Sequence, residues 1–121
     1  MNRLEAAAWS AREKAYPWKS GTKVGCAIQV TSGAIFVGWN VEGLWQTSIH
    51  AEVSAVSRIG DSEEKIVDVV IASECDNFTP CGACLDWLMQ FSTLTTRLIV
   101  AKRTSRKVFV LADLYPSYPK Q

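Results

Sequence analysis

The sequence holds a single histidine, His50, so any chemistry that needs an imidazole must run through that residue. Charge of one sign is missing too. Thirteen Lys and Arg stand against twelve Asp and Glu, leaving a net charge of +1. That excludes a strong overall positive field for gripping a polyphosphate backbone, so a nucleic-acid partner is not expected. Long apolar runs are absent. Ile66 to Ala72 is among the longest, far short of the roughly 20 residues a membrane-spanning helix needs. The N-terminus carries Arg3 and Glu5 followed by alanines and lacks the apolar stretch of a signal peptide. These absences lead us to expect a soluble, cytoplasmic protein with no membrane partner.

What is present supports one compact domain over residues 1–121. Hydrophobic residues make up 48% of the chain, enough for a core and too many for a disordered segment. A domain this small has a marginal core, which a metal or a subunit interface would reinforce. The four cysteines are Cys26, Cys75, Cys81 and Cys84. An even count allows two disulfides. Without a secretion signal, and with a Cys-x-x-Cys pair accompanying a lone histidine, metal binding is the better reading.

The periodicities give an order of α-β-β-α-β-α-β-β. Residues 2–16 are helical in pattern, with Leu4, Ala7, Ala8, Ala11 and Ala15 on one side and Pro17 ending the run. Val24 to Val30 and Ala34 to Trp39 flank Thr31-Ser32-Gly33 and read as a hairpin. Residues 49–59 return to helical spacing, with Ile49, Val53, Val56 and Ile59 on one face, Ser48 as N-cap and Gly60 closing. Ile66 to Ala72 is a β-branched, buried strand. A loop with Asn77 and Pro80 precedes a helix from Cys81 to Phe91, with Cys84, Leu88 and Phe91 on one side. Arg97 to Ala101 and Lys107 to Leu111 are the last strands, and the tail with Pro116 and Pro119 is irregular. Five residues between those strands are too few for a crossover helix, so the two pair antiparallel. The fold class is α/β, layered, with helices on the faces of the sheet.

Two segments carry chemistry: His50-Ala51-Glu52 and Pro80-Cys81-Gly82-Ala83-Cys84, each at the start of a helix. Thiolates bind zinc, and a helix N-terminus favours negative charge. Cys81 and Cys84, three apart, point the same way on a helical turn. With His50 they make three ligands and leave one tetrahedral position open, as catalytic zinc sites do. Zinc lowers the pKa of a water in that position to roughly 7. Glu52, two residues from His50, is placed to move protons without being a ligand. His-x-Glu joined to Pro-Cys-x-x-Cys is the signature of the zinc deaminases. Cys75 as a fourth ligand would instead close the site into a structural one. Cys26, alternating in a strand, reads as a small core residue.

With these motifs in hand, the chain resembles the cytidine deaminase family, in particular its small free-nucleoside branch. The resemblance runs through Ala15-Tyr16-Pro17-Trp18-Lys19-Ser20, Val24-Gly25-Cys26-Ala27, Gly38-Trp39-Asn40-Val41-Glu42, His50-Ala51-Glu52, Thr79 to Cys84, and Leu111 to Pro116. It implies a three-layer α-β-α fold with a mixed five-stranded sheet whose last two strands are antiparallel. It implies Zn2+ as cofactor and a small nucleoside as substrate, deaminated with release of ammonia. It implies that Asn40 and Glu42 bind the ribose 3′-hydroxyl and that the Ala51 N–H orients the pyrimidine. It also implies a homotetramer, with a homodimer as the alternative.

Some positions depart from the family. Thr22 or Lys23 stands where an apolar ring usually lines the pocket, Gly43 follows Glu42 where Asn is frequent, and Leu85-Asp86 follows Cys84 where Arg-Gln is frequent. In all-cysteine relatives an arginine offsets the thiolate charge, and a neutral His50 ligand lessens that need. The other departures keep a second substrate class open: a modified cytosine nucleoside or nucleoside antibiotic, as in the blasticidin S deaminases. A tRNA or single-stranded DNA deaminase fits less well, although Lys102, Arg103, Arg106 and Lys107 cluster at the final hairpin tip, where charges are usually solvated. Trp39 and Trp45 read as core or interface residues, or as a wall for a bulkier nucleoside.

Overall fold

A computed structural model describes residues 2–45, 47–60, 63–75, 78 and 80–115. Asn77, Thr79 and the proline-containing tail from Pro116 lie outside the described residues.

The first helix, α1 (Arg3–Arg12), starts where the Asn2 side chain accepts the Glu5 N–H at 2.8 Å. It ends four residues before the expected stop. Lys14 and Ala15 bond back only three residues, to Ala11 and Arg12, and Tyr16 is extended and bridges Val41. A residue before proline is driven out of the helical region, and Pro17 imposes that on Tyr16.

Strands β1 (Gly25–Val30) and β2 (Ile35–Trp39) form the expected hairpin, with Gly33 at φ +94° in the turn. Two further strands, β3 (Val41–Glu42) and β4 (Ser48–Ile49), make a short antiparallel ribbon that the periodicities did not reveal. It displaces the start of α2 (Ala51–Val56). Ser48 is therefore not the N-cap, which is His50, and Ile49 is 55% exposed in β4 instead of buried on a helix face. Gly60, at φ +69°, lies at the end of this segment as anticipated. Then come β5 (Ile66–Ala72), α3 (Gly82–Met89), β6 (Ser92–Ala101), β7 (Arg106–Val110) and a 3-10 turn, Leu111–Leu114.

The main sheet has the order β2-β1-β5-β6-β7. β5 and β6 pair parallel, which requires a crossover, and α3 supplies it. β6 and β7 pair antiparallel, as the short connection demanded. Alternation along the strands separates two apolar layers. Ala27, Val70 and Ala72 face α1, meeting Leu4, Ala8 and Trp9. Cys26, Ile28, Val69, Ile71 and Leu98 face the other side, against Ala55 and Val56 of α2 and Leu88 of α3. The result is the three-layer α-β-α arrangement. Cys26 is fully buried, as a small core residue should be.

One contact brings α2 hard against the sheet. A Cβ built on Gly38 of β2 would lie 2.3 Å from the Ala55 nitrogen and 2.6 Å from the Ala51 oxygen. Only a residue without a side chain fits there.

Candidate active site

His50 and Cys81 occupy the N-cap positions of α2 and α3, both with extended backbone angles. The Cys81 sulfur accepts the Cys84 N–H at 3.4 Å, so the Cys-x-x-Cys turn is closed by its own backbone. The two helix starts bring three donors together. His50 Nδ1 lies 3.1 Å from Cys84 Sγ and 3.5 Å from Cys81 Sγ, and the sulfurs are 3.3 Å apart. None of the four cysteines is in a disulfide, and exposed Cys75 is not part of the group.

This group fits zinc. With Zn–S near about 2.3 Å and Zn–N near about 2.1 Å, tetrahedral donors sit roughly 3.5–3.8 Å apart. Of the separations here, 3.5 Å falls in that range and 3.1 and 3.3 Å are tighter. Two sulfurs and an imidazole nitrogen match zinc in softness. The electrostatics ask for a cation as well. Burial pushes the Cys84 thiol far up, and the negative charges of Glu52 and Cys81 push it further. A thiolate is sustained there only opposite a positive charge.

Glu52 is 2% exposed, and burial pushes its carboxyl up. Its own N–H, His50 and a hydrogen bond with Cys84 pull the other way. It is thus a buried carboxyl with a raised pKa beside the candidate metal donors, a pattern typical of proton-transfer residues.

These residues form part of a cavity of about 270 Å³. His50, Ala51, Glu52 and Cys81 line it together with Asn40 and Glu42. All seven anticipated residues therefore converge, Cys84 being fully buried behind the other two donors. Asn40 is 9% exposed and already committed: Oδ1 accepts the Val24 N–H at 2.8 Å and Nδ2 donates to the Thr22 carbonyl at 2.9 Å. One amide hydrogen is left over. Glu42 Oε1 accepts the Lys19 and Ser20 N–H groups, each at 2.9 Å. Ser20, through its hydroxyl and N–H, and then the Lys19 N–H hold the Glu42 carboxyl below its ordinary range. Ala51 is the first residue of α2, so its N–H has no acceptor within the helix.

Sequence reasoning missed Ser20, Val24, Ser48 and Phe78 as cavity residues. Ser48 arrives through the unforeseen ribbon. Phe78 carries no signal beyond its place just before Pro80-Cys81. Of the two positions departing from the apolar ring, Thr22 borders both this cavity and a neighbouring one, and Lys23 lines only the neighbouring one. Trp39 and Trp45 line neither. Trp39 stacks with Lys14 and Arg58, at 5.0 and 5.4 Å, and Trp45 is 87% exposed.

A three-layer sheet with a His-Cys-Cys donor group at two helix starts defines a zinc-binding α/β protein of the deaminase type. Residues 2–102 match the family described as "Cytidine and deoxycytidylate deaminase zinc-binding region", and the chain belongs to that family. It is 36% identical over 87 residues to "Cytidine deaminase 2" of Arabidopsis thaliana, covering 66% of this chain and 26% of that protein. It is 30% identical over 105 residues to "Probable cytidine deaminase" of Dictyostelium discoideum, covering 84% of this chain and 71% of that one. The crystal structure of cytidine deaminase from Burkholderia pseudomallei superposes with a TM-score of 0.87 at 29% identity, covering 97% of this chain and 98% of that one. The chain spans about a quarter of the length of the Arabidopsis relative.

Proposed function

We propose that this protein hydrolytically deaminates a free pyrimidine nucleoside, converting cytidine or deoxycytidine and water to uridine or deoxyuridine and ammonia. The observation that carries this reading is the buried Glu52 carboxylate beside the His50, Cys81 and Cys84 donors, in one cavity with an amide and a carboxylate. When bound, zinc supplies Lewis-acid activation of the attacking water. The remaining work falls to side chains of this chain. Glu52 takes one proton from the water and delivers it to the ring nitrogen; it then takes the second proton from the hydroxyl added to the ring carbon and gives it to the departing amine. A carboxyl with a raised pKa suits both halves of that cycle. The Ala51 N–H orients the pyrimidine. The spare Asn40 amide hydrogen and the Glu42 carboxylate grip a sugar hydroxyl as donor and acceptor.

One observation favours a second substrate class. Thr22 puts a hydroxyl on the cavity wall, and that hydroxyl has no hydrogen-bond partner among the described residues. A modified cytosine nucleoside with a polar substituent would use it. We further propose that the protein is a soluble, cytoplasmic homotetramer or homodimer. Leu44, Trp45 and Ile49 are exposed on and beside the ribbon whose Glu42 and Ser48 line the cavity, and such apolar groups favour a subunit contact. No helix among the described residues is long and apolar enough to cross a membrane.

The test is a substrate panel on zinc-replete enzyme: cytidine, deoxycytidine, cytidine monophosphate and a cytosine-bearing antibiotic, followed by absorbance. Turnover of the free nucleosides is expected. Turnover of the antibiotic alone selects the second class, and no turnover of any compound rejects the reading.

A further inference from the structure

We propose that Trp18 is a positioning residue for the Glu42 carboxylate, which it holds in register with the cavity. The inference rests on the reading of Glu42 as the group that meets the sugar. A half-buried glutamate on a two-residue strand has three side-chain torsions that must be fixed. Here the fixing comes from a strap, residues 16–21, laid along β3. Tyr16 N–H donates to the Asn40 carbonyl at 2.9 Å and Glu42 N–H donates to the Tyr16 carbonyl at 3.1 Å. The strap then turns on itself, with Gly21 N–H bonded to the Pro17 carbonyl at 2.8 Å and Gly21 at φ +76°. That turn aims the Lys19 and Ser20 N–H groups at a single oxygen, Glu42 Oε1.

Trp18 fastens this arrangement from the other side. Its indole Nε1–H is shared between the Glu42 carbonyl at 3.0 Å and the Gly43 carbonyl at 3.2 Å. The same residue whose carboxylate is held by the strap thus holds the strap through its carbonyl. The loop is closed: Trp18 to Glu42 O, and Glu42 Oε1 to Lys19 and Ser20. With one carboxylate oxygen held by two backbone donors and the Ser20 hydroxyl also bonded to the carboxyl, the direction of the group is set. Gly43 N–H also bonds the Thr47 carbonyl at 2.7 Å, so the same tie reaches the β3–β4 turn and through Ser48 the far cavity wall. Trp18 itself is 49% exposed and does not line the cavity. Its contribution is to hold other groups in place.

The experiment compares wild type with Trp18→Phe, which keeps an aromatic ring and removes the N–H. Hydrogen exchange of the backbone amides is read alongside kinetics on cytidine and its 3′-deoxy analogue. The expected result is faster exchange at Lys19 and Ser20 with α1 and β5 unchanged. KM for cytidine rises about five- to tenfold, kcat stays within about twofold, and KM for the 3′-deoxy analogue does not move; the first change corresponds to one lost hydrogen bond. Unchanged exchange at Lys19 and Ser20 overturns the proposal. So does an equal rise in KM for both substrates. If wild type itself treats the two nucleosides alike, the sugar reading of Glu42 fails, while the exchange data still decide whether Trp18 holds the strap.

Discussion

The guanidinium of Arg106 grips the carboxylate of Glu5 with two hydrogen bonds, 2.5 Å from Nε and 2.6 Å from Nη2, across 101 positions of sequence. The pair ties the first helix to the last strand. Nearby, Arg103 stacks 3.8 Å from the centre of the Trp9 ring, and its N–H donates to Glu74 at 3.0 Å. Two of the four basic residues at the hairpin tip are therefore spent within the chain. They are neither a solvated tip nor a free patch for a nucleic-acid strand.

The Glu5–Arg106 pair makes stability depend on acid. The hydrogen bond with Arg106 outweighs burial and holds the Glu5 carboxyl below its ordinary value of 4.5. A carboxyl lowered in the folded state adds stability above the unfolded pKa and loses it as pH falls through the folded one. Urea midpoints should therefore drop below about pH 4.5, and Glu5→Gln should flatten that drop. Arg106 is 42% exposed, so solvent screening weakens the pair. Arg106→Ala should cost more at neutral pH than Glu5→Gln, because it strands a buried carboxylate. Equal costs for the two variants would contradict this account.

The Glu5–Arg106 pair also marks where a sequence stops being readable. β1, β5 and the terminal hairpin were visible because each completes several periods of alternation, or because five residues cannot cross a sheet. The candidate site residues were visible because each half of the motif is local: His50 with Glu52, Cys81 with Cys84. Contacts between distant segments leave no such trace. Nothing in Glu5 announces Arg106. A two-residue ribbon completes no period, so Ile49, apolar and in helical phase with Val53 and Val56, was misread as a buried helix residue. Phe78 entered the cavity unannounced for the same reason.

Glu52 is expected to move protons and not to hold the metal. Glu52→Gln preserves the shape and removes the basic oxygen. Zinc content should stay at that of the wild type while kcat falls by about 10²- to 10⁴-fold, the usual worth of a general acid–base group. Elemental analysis and initial rates measure the two. Full turnover in this variant would remove Glu52 from the mechanism.

Zinc should hold the fold together as well as enable the reaction. The donors come from the starts of α2 and α3, so the ion cross-links two helices of a small domain. Free zinc at 100 times its Kd contributes about 2.7 kcal/mol. Thermal melts in zinc-buffered solutions should show Tm rising with free zinc and falling in chelator. Cys84→Ser should melt independently of zinc. A Tm indifferent to chelation in the wild type would mean that α2 and α3 are held by packing alone.

Gly38 gives the most direct test of how the site is positioned. Its Cα approaches the backbone of α2 so closely that an added methyl group would sit 2.3 Å from the Ala55 nitrogen. Backbone cannot swing aside as a long side chain can, so α2 must move as a body. His50 and Glu52 move with it, while Cys81 and Cys84 stay with α3. Gly38→Ala should therefore destabilise the protein by about 2 kcal/mol or more and weaken zinc binding in the molecules that remain folded. Gly25 supplies the control. A Cβ there would lie 2.1 Å from the Ala8 oxygen, on the α1 face. Gly25→Ala should lower stability to a similar degree yet leave zinc affinity of the folded fraction unchanged. Calorimetric zinc titration of both variants below their melting transitions separates the two effects. If Gly38→Ala binds zinc as tightly as Gly25→Ala, the seat of α2 on β2 does not set the geometry of the metal site.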